Sequence, residues 1–158
     1  MLLLKEKEFI NWFPKNNLFL SIIMKLFLLV YVAIIALGSS FLFQDKELQK
    51  SIERGNEIYA DFCITCHLDK GEGVKNVFPP LAKSDYLKKN REESIRGIKY
   101  GQKGELTVNG VTYNGVMPPM GLEDEEIADV MNYILNSWGN NSSKEIVTPD
   151  EVAAITAK

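Results

Sequence analysis

Cys63-Ile64-Thr65-Cys66-His67 contains both cysteines and the only histidine of the 158-residue chain. Two thiols three positions apart, followed at once by an imidazole, form the attachment pattern of c-type haem. The thiols bond covalently to the two vinyl groups of a porphyrin, and the imidazole reaches the iron from the proximal side. The order matters, because the histidine must sit beneath a ring that the cysteines have already pinned. Other chemistries fit the five residues less well. A thiol–disulfide redox pair is expected near a βαβ pattern, which the sequence around Cys63 lacks. A tetrahedral zinc site needs about four ligands, and Cys63, Cys66 and His67 supply three. A disulfide across two residues closes a very small loop and stabilises little.

The length fits one domain plus a targeting segment. Leu26 to Phe43 carries no charge and follows Lys25. It reads as a signal-peptide core, with small residues around Ala36-Leu37-Gly38 for cleavage, or as a short membrane anchor. Residues 1–23 make a poor basic start, because Glu6 and Glu8 cancel Lys5 and Lys7. Met24-Lys25 looks like a more natural beginning, so residues 1–23 read as a misassigned upstream start or an extension, and 24–44 as the signal or anchor. The positive charge before the segment keeps its N-terminus inside and sends residues 45–158 outward. Residues 45–158 hold 14 Lys and Arg against 19 Asp and Glu, a net charge of −5. That acidity disfavours nucleic acid as a partner.

Apolar residues recur at roughly helical spacing from Asp45 to Phe62, interrupted by Gly55, which makes sense if another backbone presses close. This helix leads into the Cys63 motif. Glycines and charges make 68–73 a loop, and Phe78-Pro79-Pro80-Leu81 excludes regular helix or central strand. A ligating histidine usually donates its second ring N–H to a carbonyl, which such a stiff loop can offer, although an ordinary surface turn has the same composition. A short helix is expected over Ser84–Lys89, then a helix with a capping box of Asn90 and Glu93 that stops at Gly101. Glu105–Val108, Asn109-Gly110 and Val111–Tyr113 read as a hairpin. The loop Asn114–Gly121 carries Met117 and Met120. Ile127, Val130, Met131, Ile134, Leu135 and Trp138 mark a strongly amphipathic helix over Asp124–Trp138. Residues 142–158 read as a polar, loosely held tail after a domain of residues 45–141.

The sixth iron position divides electron transfer from ligand chemistry, since a thioether raises the potential and closes the iron. With no second histidine, methionine is the available donor. Met117 and Met120 lie in the Pro-stiffened loop, whereas Met131 sits on an apolar helix face and reads as core.

These features resemble the small monohaem class I cytochrome c family, from about Gln49 to Asn141. Gly55 and Tyr59 look like its glycine and aromatic on the first helix, and Cys63, Cys66 and His67 are its motif. Pro79 and Leu81 match its proline and leucine, which implies a carbonyl partner for His67 and a haem-packing side chain. Met117, in the Gly-x-Met-Pro context, matches its axial methionine. The fold so implied is all-α, three to four helices around one covalent haem c, with a small β-hairpin before the axial Met loop. Phe78–Leu87 and Tyr113–Pro118 are similar to bacterial domains associated with denitrification, including those fused to copper nitrite reductases. Glu123 stands where a Ser or Thr cap is common, and Met120 where a bulky apolar residue is usual.

The resemblance implies a periplasmic one-electron carrier in a respiratory chain rather than an enzyme, soluble or held by residues 26–43. Its partners would be redox proteins such as a nitrite reductase or terminal oxidase. Lys70, Lys75, Lys83, Lys88 and Lys89 are either a basic docking rim or ordinary solvated surface. A permanent haem subunit of a larger oxidoreductase is the main alternative, followed by a haem sensor with an open sixth position.

Overall fold

The computed structural model describes residues 17–140 and 146–158. Most of the proposed upstream extension, residues 1–16, and the first part of the polar tail, 142–145, lie outside the described residues. The chain divides into two units, Met1–Gln44 and Asp45–Lys158. In the first, the described residues are helical, and Phe19–Ala36 has a mean hydropathy of 2.6 with none of the window buried. The apolar stretch therefore begins earlier than Leu26.

Helix α1 spans Asn17–Phe62 and contributes its residues from Asp45 onward to the second unit. There it crosses α5 (Asp124–Asn136). Gly55 is the crossing point: a Cβ there would overlap the Asp129 carbonyl. The close approach foreseen for this glycine is real. Around it, buried Asp129 accepts from Ser51 Oγ at 2.7 Å and from Arg54 Nη2 at 2.8 Å. A buried carboxylate is tolerable when it is paired and hydrogen-bonded in this way. Tyr59, Tyr133 and Trp138 close the next layer with ring centroids 5.0–5.4 Å apart.

Helix α2 (Ile64–His67) is a single turn that includes the second half of the motif. Ser84 caps α3 (Asp85–Lys89), its hydroxyl accepting from Leu87 N. The capping box expected at Asn90 does not form. Asn90 is at once the C-cap of α3 and the N-cap of α4 (Arg91–Tyr100), and its amide turns back to donate to the Tyr86 carbonyl. The open carbonyl of the preceding helix wins that side chain. Glu93 pairs instead with Arg96 and Lys158. At α5 the Glu126 carboxylate accepts the Glu123 backbone N–H at 2.8 Å, so Glu123 serves as N-cap without a hydroxyl.

The hairpin is longer than its turn signals suggested. Strands β1 (Gln102–Val108) and β2 (Val111–Met117) pair antiparallel, with Gln102 opposite Met117. Asn109 and Gly110 both adopt positive φ, 50° and 77°, the backbone of a type I′ turn. Met117 thus ends a strand rather than lying in a loop, because pairing with β1 overrides the weak strand propensity of Asn114-Gly115.

Helix α5 ends two residues before Trp138. Trp138 and Gly139 both take positive φ, 49° and 79°, and turn the chain back into the core. The C-terminal segment 146–158 is not a loose tail. Val147, Val152 and Ile155 are buried in the core, with Val152 in α6 (Pro149–Ala154). Lys99 donates to the Val152 carbonyl and Tyr100 to that of Ile155. Arg91 holds Glu151 by two bonds of 2.7 and 2.8 Å. Three spaced apolar residues in a polar segment form too short a pattern to be read without the surface that receives them.

Arg91 holds the Glu151 carboxyl below its ordinary value of 4.5. A depressed carboxylate pKa stabilises the folded state fully above the unfolded value, and that stability is lost as pH falls through the folded one. The protection of the Val152 and Ile155 amides, measured against the exchange rate of an unstructured chain at the same pH, is therefore expected to fall below about pH 4.5. Arg91→Met should remove that pH step, as seen by exchange mass spectrometry between pH 7 and 3.5.

Candidate functional site

The motif is positioned from both sides. Helix α1 delivers Cys63, whose amide bonds the Tyr59 carbonyl, and the Cys63 carbonyl accepts from His67 N at 2.9 Å. Tyr59 in turn donates its hydroxyl to the Leu68 carbonyl at 2.7 Å. These bonds turn the chain through α2 so that Cys63, Cys66 and His67 open onto one cleft.

His67 is 8% exposed, and its Nδ1–H donates to the Pro79 carbonyl at 3.0 Å. Burial lowers its pKa below the ordinary value, with the Pro79 bond acting in the opposite sense. The ring is neutral at physiological pH, and its Nε2 lone pair is the free donor. The Pro79 carbonyl is held in place by its loop: Leu81 N and Ala82 N both donate to the Gly71 carbonyl, at 2.7 and 2.8 Å. Gly73 N donates to the His67 carbonyl, and Val74 pairs with Phe78.

The cleft has two adjoining lobes, one larger than the other. Cys63, His67, Pro79, Gln102, Leu106 and Met117 line both. Leu81 and Met131 line the smaller, Cys66 and Met120 the larger. Met131 is fully buried and belongs to the core, as its helix position indicated. The larger lobe has no charged residue in its lining. It suits a flat apolar group, whose burial is favoured by the hydrophobic effect.

Several lining residues were not among those the sequence singled out for this role. Gln102, Leu106 and Tyr113 come from the hairpin, which forms a wall of the cleft. Inward alternation at Gln102, Gly104, Leu106 and Val108 was the available clue, because alternate strand residues share a face. The five lysines considered as a basic rim line neither lobe. Lys89 pairs with Asp85 instead, and the Lys83 stem lies against Gly139. Phe62, Val77 and Val116 are the exposed large apolar side chains of the larger lobe, at 48%, 53% and 69% exposure.

A dithiol redox pair finds no support in this environment. Burial pushes the Cys63 thiol up to about 11, which suppresses the thiolate that exchange chemistry needs. The donor set fits a covalently attached haem: two free thiols, a neutral imidazole and a thioether on one apolar cleft.

A family profile described as cytochrome c matches residues 52–138. The chain belongs to the monohaem class I cytochrome c family. It is 40% identical over 112 residues to cytochrome c-552 of Thermus thermophilus, covering 66% of this chain and 85% of that protein. It is 29% identical over 110 residues to the cytochrome c subunit of a quinone alcohol dehydrogenase from Gluconobacter oxydans, covering 61% of this chain and 20% of that subunit. A gluconate 2-dehydrogenase cytochrome c subunit of Pantoea cypripedii is 28% identical over 136 residues, covering 71% of this chain and 27% of that subunit. The family carries covalent haem c and transfers electrons, and this cytochrome does the same. The fold foreseen from its motifs, helices with one small hairpin, is the one observed.

Proposed function

We propose that this cytochrome is an exported single-electron carrier in which His67 and Met117 are the two axial ligands and Cys63 and Cys66 the covalent attachments. The carrying observation is the shared cleft: Met117 and His67 line both lobes, whereas Met120 lines one. Bound haem supplies a one-electron Fe(III)/Fe(II) couple. The residues around it stay fixed while charge changes. His67 is held through Pro79, Met117 is tied to β1 by strand pairing, and the apolar walls exclude water. Leu81 packs against the same space. Little rearrangement is then needed between oxidation states, which favours electron transfer over bond chemistry.

Residues 26–43, within the apolar helix, serve as signal or anchor and place the haem unit on the periplasmic side. Redox partners dock transiently over the uncharged opening that exposes Phe62, Val77 and Val116, rather than over a lysine ring. A nitrite reductase or terminal oxidase is the proposed acceptor, the former supported by the sequence likeness at Phe78–Leu87 and Tyr113–Pro118. The likeness to dehydrogenase subunits favours a second reading, a haem subunit held permanently in an oxidoreductase complex. Stable co-purification with further subunits would select it.

The visible spectrum of the reduced holoprotein, recorded before and after adding carbon monoxide, tests the ligand assignment. A covalent low-spin haem with no spectral change is expected. A clear shift would mean an open sixth position and a sensor or enzyme.

A further inference from the structure

Asn132 and Asn140 are each 1% exposed, and both satisfy buried backbone through their side-chain amides. They serve different segments of the chain. Asn132 Nδ2 donates to Ser51 Oγ and the Val147 carbonyl, at 2.8 and 2.9 Å, and its Oδ1 accepts from Val147 N. It holds the C-terminal segment. Asn140 instead reaches the loop behind the haem motif. Its Nδ2 donates to the Leu81 and Ile134 carbonyls, both at 2.8 Å, and its Oδ1 accepts from Ser84 N at 3.1 Å.

Leu81 follows Pro79, the partner of His67, by two residues. On one side the segment 79–82 is fastened to Gly71, in the turn that leaves His67. Trp138 packs its ring against Gly71, and Trp138-Gly139 supply the left-handed reversal that aims Asn140 inward. On the other side the segment is fastened by Asn140 alone among the polar side chains of the described residues that bond Leu81.

We propose that Asn140 is a positioning residue for His67. By holding the Leu81 carbonyl and the Ser84 amide, it fixes the Pro79 carbonyl against the Nδ1–H of His67. The inference rests on the reading of His67 as an iron ligand. A carbonyl on the distal ring nitrogen orients an imidazole ligand and raises its basicity. A more basic imidazole stabilises Fe(III) and holds the reduction potential down. Loosening the Pro79 carbonyl therefore raises the potential.

The test compares Asn140→Ala with Asn132→Ala in the full-length holoprotein, reconstituted in phosphatidylcholine nanodiscs. Each loses comparable buried hydrogen bonds, so each should melt at a lower temperature. Only Asn140→Ala should raise the midpoint potential, by a several-fold shift of the one-electron equilibrium toward Fe(II) at about 59 mV per decade. It should also speed solvent exchange of the His67 ring N–H several-fold, because the Pro79 carbonyl then holds that proton less firmly. Asn140→Ser, a smaller change, gives the same readings if the alanine variant does not fold. An unshifted potential in the Asn140 variants, or an equal shift in Asn132→Ala, would overturn the proposal. A wild-type protein lacking a low-spin haem spectrum would fail differently, removing the His67 ligation and the positioning role with it.

Discussion

Replacing Met117 with alanine is expected to open the sixth iron position completely. The reduced Met117→Ala protein should bind carbon monoxide with a full spectral shift, and its potential should fall because a thioether ligand favours Fe(II). Met120→Ala should remain closed. The contrast arises from placement: Met117 ends β2 and is paired to Gln102, so its backbone is held against both lobes of the cleft. Met120 lies beyond Pro118-Pro119, its amide bonded to the Ile98 carbonyl at 3.4 Å, and lines the larger lobe only. A closed Met117→Ala protein together with an open Met120→Ala protein would transfer the ligand role to Met120.

Gly55→Ala is expected to produce the largest loss of stability from a single methyl group. In an exposed helix interior this change would stabilise the chain by up to about 1 kcal/mol. Here the added Cβ meets the Asp129 carbonyl and carbon, and the Tyr133 Cβ lies 2.9 Å away. Backbone cannot turn aside as a flexible side chain can, so the two helices must separate. Overpacking of this kind costs about 3 kcal/mol, near the top of its usual range. Separation would also disturb the bonds from Ser51 and Arg54 to buried Asp129. Thermal unfolding followed by circular dichroism should show a fall on the order of 10 °C. An unchanged or raised melting temperature would mean that the crossing is looser than described.

Much of the site was legible because its signals are local. Cys63, Cys66 and His67 span five positions, and their chemistry depends on spacing that survives any arrangement of the rest. The repeat Ile127, Val130, Met131, Ile134 and Leu135 marks the inner face of α5 through helical geometry alone, and all five are buried. Asn109-Gly110 likewise encoded its turn through the backbone freedom of those two residues. Where local rules competed, the reading failed. Asn90 had two helices to serve, and Met117 had a strand partner fifteen residues earlier.

By itself, then, the sequence marked the haem attachment motif, the amphipathic last helix and the hairpin turn. Only the tertiary structure decided which carbonyl approaches Gly55, which methionine borders both lobes, and that the lining of the larger lobe is uncharged. It also decided that Val147, Val152 and Ile155 find a core and that Asn140 reaches Leu81 across 59 positions. The first group arises from neighbours along the chain, where spacing fixes geometry. The second arises from pairs far apart in sequence, where one residue's role depends on a partner that local pattern does not specify.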